Sequence, residues 1–414
     1  MRVPLQPIAV RALVLLCATV WLVAIPLRAQ AAPADSPLCA WRFMSNDQVL
    51  NVAFPDSNAT YWVLPYALGS GDRIELSGDY PAARYFSLNT YGTNFDTVDT
   101  LRDNQIVADP GSVNPFVIGS ATNESLQQRH WHATLVTGHA DRTRNEIQAL
   151  PAEQNTPVGF LIIRVYVPTD PRSLNGGVGL PTATMHVAGA TVQSQPCNQV
   201  FDPQSYSGPV AAVGADAFDR VIGNAAAGAF PGNVPEATFV NPASTSGLFP
   251  NGDNRYIGAG LTYQPGRLVV IRAKAPSYPD TRAGQAPTSP TQVRYWSMCQ
   301  NDQVSPYPVV GCAADFQTRL DGDGYYTYVV AAPQDLPATI GPGVTVLPWG
   351  STAVAKKVVF LRYMLPSSQF YPNSIQASQA QRSDPAVTMG AYYPHATYCD
   401  KATFASGGAT ACFR

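Results

Sequence analysis

The sequence predicts an all-β protein of two tandem β-sandwich domains related by internal duplication. Three observations carry that prediction. The chain holds 32 glycines and 37 prolines in 414 residues, a turn-rich composition that disfavours long helices. Two apolar runs, Phe160 to Val167 and Val358 to Leu365, are rich in branched and aromatic residues and are stopped by proline. Runs of that length and make-up suit strands buried on both sides. Finally, the same landmarks occur twice, in the same order.

The repeat runs through most of the chain. Phe54-Pro55 and Tyr61 recur as Phe249-Pro250 and Tyr256, and Gly71 and Pro81 recur as Gly266 and Pro276. Past an insertion in the second copy, Arg84-Tyr85-Phe86-Ser87 matches Arg294-Tyr295-Trp296-Ser297. Arg164 with Pro168 then matches Arg362 with Pro366. Pro181-x-x-Thr184-Met185 matches Pro385-x-x-Thr388-Met389, and Cys197 falls beside Cys399. Turn clusters such as Gly69-Ser70-Gly71-Asp72 and Asp321-Gly322-Asp323-Gly324 separate the strand runs. The expected layout is a signal peptide over 1–31, a first sandwich over 32–200, a linker over 201–245 and a second sandwich over 246–414. Within the linker, Ala211 to Ala227 could form one helix.

The N-terminus reads as an export signal. Arg2 and Arg11 precede an apolar run from Ala12 to Ile25, and Ala29-Gln30-Ala31 offers small residues to a signal peptidase. The run is short for a spanning helix, and no second one follows, so no transmembrane segment is expected once the signal is removed. An extracellular, cell-surface or periplasmic location is therefore expected. Cysteine usage agrees. Cys17 lies in the signal and six cysteines remain, with no C-x-x-C pair to suggest zinc. Spacing predicts Cys39–Cys197 around the first copy, and Cys299–Cys312 and Cys399–Cys412 as two bridges with equal separations. In the duplication Cys399 matches Cys197, but no linker cysteine matches Cys39, so Cys412 is the expected substitute; a Cys197–Cys399 cross-link would overturn the map.

Charged residues make up 13% of the chain, and losing the three arginines of the signal moves the formal net charge from -2 to -5. That is no basic footprint, and nucleic acid is not expected as a partner.

A family resemblance rests on Phe86-Ser87-Leu88, Tyr91, Asn145, Leu150-Pro151-Ala152, Phe160-Leu161, Arg164, Tyr166 and Pro168. Over about 85 residues of the first copy this pattern resembles domain-of-unknown-function family 1214. The resemblance implies jelly-roll-like β-sandwich domains in exported bacterial proteins. It brings no established catalytic residues.

Several residues invite a chemical reading. His130 and His132 share one face of a strand and could ligate one metal if a third ligand joined them. His139, seven residues on, is the nearest histidine. Exposed strand histidines are the plainer reading. Arg84, Arg294, Arg164 and Arg362 sit in apolar strand contexts in both copies, which points to structural arginines with a carboxylate or carbonyl partner. Asp96, Asp99, Asp103 and Asp109, with Asp321 and Asp323, could hold calcium or simply line solvated turns. Tyr325, Tyr326, Tyr392 and Tyr393 could form a ligand platform or cross-strand packing pairs. Gly-x-Ser-x-Gly, His-Glu-x-x-His and phosphate-loop patterns are absent from the sequence. The expectation is a non-catalytic protein, without a cofactor, that binds an envelope or extracellular ligand or partner. The alternative is a secreted hydrolase with its site between the copies.

Overall fold

The computed structural model describes residues 39–41, 43–120, 128–197, 224–229 and 234–414. The signal segment, Ala29-Gln30-Ala31 included, lies outside the described residues, as does most of the linker helix expected over Ala211 to Ala227. Residues 224–229, which overlap the end of that stretch, are helical.

The chain forms two compact units. The first comprises Met1–Leu50, Ala59–Ala225 and Ser246–Gly252; the second comprises Asn51–Asn58, Ala226–Thr245 and Asp253–Arg414. The sequence divides the copies near 200 and 246. The units instead interleave, because each takes in one short Phe-Pro segment from the sequence of the other copy.

The first unit is a sandwich of two five-stranded sheets. One sheet has the order β1 (Phe43–Ser45), β2 (Ala59–Ala67), β8 (Val158–Pro168), β4 (Ala83–Tyr91) and β5 (Thr97–Arg102). The other has the order β10 (Ala190–Ser194), β9 (Thr182–Val187), β3 (Arg73–Asp79), β6 (His130–Val136) and β7 (Glu146–Gln148). Pairing is antiparallel except between β6 and β7. Alternation fixes which residues meet the core. Leu161, Ile163 and Val165 of β8 point inward, where they join Trp62, Leu88, Ile74, Leu76, Trp131 and Leu135 from both sheets.

The second unit repeats this plan with four strands per sheet. One sheet runs β11 (Asn254–Thr262), β17 (Lys356–Pro366), β13 (Val293–Asp302) and β14 (Val309–Ala314). The other runs β16 (Val344–Pro348), β15 (Tyr325–Ala331), β12 (Arg267–Lys274) and β18 (His395–Asp400). Sheet order and the one parallel pair, β15 with β16, correspond to those of the first unit. So do finer details. The register slips at Thr90/Tyr91 in one copy and at Gln300/Asn301 in the other. Asp103 accepts from the Phe86 N–H at 3.1 Å, and Asp315 accepts from the Trp296 N–H at the same distance. All-β sandwich architecture in two units is thus the observed fold.

Two of the sequence matches are not structural equivalents. Thr184 and Met185 lie in β9, whereas Thr388 and Met389 end a short helix, α2 (Pro385–Met389). Together with α1 (Ile375–Gln381), α2 is an addition to the second copy, and the strand corresponding to β9 is β18. Cys399 lies within β18, while Cys197 lies beyond β10, so these cysteines hold different places. A short shared motif had disguised an inserted helical pair. The insertion in the second copy also has a place. β3 and β4 are separated by a tight turn, but β12 and β13 by the longer connection 275–292.

Cysteines pair as Cys39–Cys197, Cys299–Cys312 and Cys399–Cys412. Among the described residues, no helix is long and apolar enough to cross a membrane. Three disulfides and that absence are compatible with an extracellular or periplasmic protein.

Candidate functional site

Strand alternation builds one polar surface on the first unit. The inward residues of the β3 sheet, Ile74, Leu76, Trp131, Ala133 and Leu135, are all in the core. Their neighbours must then face away from it, and those neighbours are polar: Arg73, Glu75, Ser77 and Asp79 on β3, His130, His132 and Thr134 on β6, Thr182, Thr184 and His186 on β9. Gly78 allows close packing beneath this face, since a Cβ there would stand 3.0 Å from the Trp131 ring.

Three of the chain's five histidines lie on this face, and each meets a carboxylate. His130 Nδ1 contacts Asp79, its cross-strand partner on β3. His132 Nδ1 lies 2.6 Å from Asp109 Oδ2. His186 Nε2 lies 3.2 Å from Glu75 Oε1, and its Nδ1 is 3.1 Å from the Thr191 hydroxyl. Arg73 Nε donates to the same Glu75 oxygen at 2.9 Å. The Arg73 hydrogen bond holds the Glu75 carboxyl below its usual range against the opposing effect of burial, with His186 adding to the lowering. The side chains of His130 and His132 are 56% and 63% exposed.

His130 and His132 meet different carboxylates. Asp79 lies on β3, on one side of β6, whereas Asp109 belongs to the segment that bridges to Trp131 through Ala108. Each imidazole is therefore tethered to its own carboxylate. His139 is exposed in the turn after β6. Among the described residues, the group of three possible ligands close enough to share an ion is Asp56, Cys299 and Cys312, and both cysteines are in a disulfide.

The loop acids are occupied individually. Asp96 accepts from Ser246 Oγ and the Gly247 N–H, both at 2.9 Å. Asp99 meets Arg142 and the Gln148 N–H. Asp103 caps the Asn104 N–H at 2.7 Å. Asp321 binds Arg272 and the Asp323 and Tyr325 N–H groups. These are turn and strand-end fixtures, spread over both copies.

The equivalent sheet of the second unit is finished differently. Its outward residues Leu268, Val270, Val329 and Ala331 are apolar, and they pack under Phe404, Ala409 and Cys412 of a C-terminal helical segment, α3 (Lys401–Cys412), which is kinked at Gly408. The Cys399–Cys412 bond ties that helix to β18. One copy covers this face with apolar contacts; the other leaves it polar and, among the described residues, uncovered by a helix.

The recurring arginines are internal fixtures. Arg164 donates to the Phe249 carbonyl at 2.5 Å and the Tyr91 hydroxyl at 2.8 Å, all within the first unit. Arg362 pairs with Asp56 and donates to the Phe54 carbonyl at 3.3 Å, all within the second. Phe54 and Phe249, each followed by proline, adopt positive φ of 58° and 49°. A non-glycine residue there costs about 1–3 kcal/mol, which the surrounding contacts must offset. Arg84 is fully buried in β4, and Arg294 is half-buried in β13. The tyrosines also serve packing. Tyr326 stacks on Trp296 at 5.5 Å, Tyr392 meets Phe370 edge-on, and the Tyr393 hydroxyl donates to the Phe239 carbonyl at 3.0 Å. Tyr325 lies against Arg272.

No protein-family model and no curated protein matches the chain. Among solved structures it is similar to an uncharacterized protein from Burkholderia cenocepacia. The identity is 12%, the TM-score is 0.51, and the match covers 97% of this chain and 91% of that one. The likeness is one of fold. A Vibrio parahaemolyticus structural-genomics protein aligns at 11% identity over 86% of this chain and 92% of its own, with a TM-score of 0.39.

Sequence reasoning picked out His130 and His132, and Asp109 only among the possible calcium-binding acids, but not Asp79, Glu75 or His186. Their partnerships are cross-strand, and the only advance signal is the polar half of the alternation in β3, β6 and β9.

Proposed function

We propose that the protein is an exported, non-catalytic β-sandwich protein that binds a polar extracellular or envelope ligand on the open face of its first unit. The observation that carries this reading is the contrast between the two copies. A sheet face that one copy covers with α3 is open in the other and carries three histidine–carboxylate pairs. Polar and charged groups held in place by neighbours suit recognition of a hydrogen-bonding ligand. Export is supported by the three disulfides and by the residue pattern at the N-terminus.

A hydrolase is the second reading, and one arrangement favours it. Asp109 holds His132 Nδ1, and Ser77 is the direct cross-strand partner of His132. An acid that orients an imidazole beside a serine is the logic of a Ser-His-Asp triad. Against it, β3 pairs on both sides, so its backbone N–H groups are committed to the ladders rather than to an oxyanion. Purified protein should be screened against envelope glycans, lipids and an ester panel, with Ser77→Ala in parallel. Saturable binding without turnover supports the proposal. Ester turnover lost in Ser77→Ala selects the hydrolase.

A further inference from the structure

We propose that the Cys299–Cys312 bond is a thiol-exchange site, at which an external thiol attacks Cys312 and Cys299 leaves as the thiolate. Three observations, all within the second unit, carry this.

The first is that the fold does not need a covalent link at this place. Cys299 and Cys312 are direct cross-strand partners on β13 and β14. In the first copy the corresponding partners on β4 and β5 are Asn89 and Thr100. There the strands are joined by a hydrogen bond from Thr100 Oγ1 to Asn89 Oδ1 at 3.0 Å. The equivalence is fixed by Ser87 and Ser297, each two residues earlier and each opposite its copy's arginine.

The second is the set of donors around the sulfurs. Arg362 Nη1 lies 3.6 Å from Cys299 Sγ, and Ser297 Oγ lies 3.7 Å from it. The Ser57 N–H points at Cys312 Sγ at 3.4 Å, and Ser57 Oγ accepts from the Cys312 N–H at 3.1 Å. A guanidinium beside a sulfur favours its thiolate, and a stabilised thiolate is a good leaving group in exchange. Asp56, also close to both sulfurs, works the other way. Its charge is largely taken up by Arg362, by the Tyr295 and Ser297 hydroxyls at 2.8 and 2.7 Å, and by the Asn58 N–H at 2.9 Å. At the Cys399–Cys412 bond the nearby polar atom is an acceptor, since Cys412 Sγ faces the Gly408 carbonyl at 3.6 Å. That carbonyl would repel a thiolate.

The third is access. Cys299 is 1% exposed, while Cys312 is partly open to solvent. The external thiolate therefore reaches Cys312 Sγ. A new sulfur–sulfur bond forms there, the Cys299–Cys312 bond breaks, and its electron pair leaves on Cys299 Sγ beside Arg362. A second thiolate then attacks the external sulfur of the mixed disulfide and releases Cys312. The two protons of the external thiols end on the cysteines, and one external disulfide forms.

Folded protein exposed to a series of reduced glutathione concentrations, then acid-quenched, alkylated and peptide-mapped, tests this. Cys299–Cys312 should open roughly tenfold faster than Cys399–Cys412, with the glutathione adduct on Cys312. Arg362→Lys should slow the opening. Should that variant not fold, the position of the adduct in the unaltered protein still decides. Bridges that open together, or an adduct on Cys299, would overturn the proposal.

Discussion

Arg362 holds the carboxylate of Asp56 in a buried ion pair across 306 positions of sequence, while its counterpart Arg164 makes its polar contacts with a carbonyl and a tyrosine hydroxyl. At the position of Asp56 the first unit has Asn251, which accepts from the Tyr85 hydroxyl at 3.2 Å. One architectural joint is thus built once with a charge pair and once without.

Unequal sensitivity at the two arginines follows. Removing Arg362 strands a buried carboxylate, and breaking a buried pair typically costs about 3–5 kcal/mol. Removing Arg164 forfeits hydrogen bonds to a charged group, about 1.5–3 kcal/mol. Denaturant melts of Arg362→Met and Arg164→Met should rank in that order. Equal losses, or an Arg362→Met protein as stable as a surface variant, would contradict the assignment.

Gly159 offers a test of the duplication at atomic scale. Its Cα is paired with Tyr66, and a Cβ would come within 2.5 Å of that ring. The same register position in the second copy pairs Leu261 with Lys357, a side chain beside a smaller partner. Gly159→Ala should cost about 1–3 kcal/mol through overpacking. Adding Tyr66→Leu should recover part of that loss, and strictly additive losses would show that the two sites do not share the space.

The duplication was legible because β2, β4 and β8 and their counterparts keep their landmark residues in the same order, although the offset between the copies changes along the chain. Arg164 and Arg362 could be read as structural from their apolar context, but their Phe54 and Phe249 carbonyl partners could not. Those lie in segments that join the unit of the other copy. The match of Pro181-x-x-Thr184-Met185 with Pro385-x-x-Thr388-Met389 misled, since so short a motif is compatible with either a strand or a helical turn. The histidine pairs escaped for a different reason: a carboxylate on a neighbouring strand leaves no trace in local spacing.

The helix α3 should act as a lid of fixed worth. Its bond to β18 closes a short loop, for which chain entropy suggests about 3 kcal/mol. Cys399→Ser with Cys412→Ser should lose stability of that order. It should also raise binding of a hydrophobic dye, as Leu268, Val270, Val329 and Ala331 become uncovered. Unchanged dye binding would mean that packing alone holds the helix.

Tyr398 supplies a pH dependence. Burial first, then its hydrogen bond to Glu236, push its phenol up to about 12. The unfolded phenol titrates near 10, so the contribution is full below about pH 10. It declines between about pH 10 and 12, where the unfolded chain loses its proton first. Comparing Tyr398→Phe with the unaltered protein by denaturation across that window should show a shallower decline in the variant. Parallel curves would remove Tyr398 as the cause.

The outward face of β3, β6 and β9 in the first unit is the proposed binding surface. Equilibrium binding to fractionated envelope glycans and lipids tests it, measured for the unaltered protein, for His130→Ala with His132→Ala, and for Arg272→Ala on the equivalent sheet of the second unit. The histidine variant should bind about tenfold more weakly, a loss of ~1.4 kcal/mol, while Arg272→Ala binds as the unaltered protein does. Binding that survives the histidine changes intact, or that falls only with Arg272→Ala, would contradict the claim.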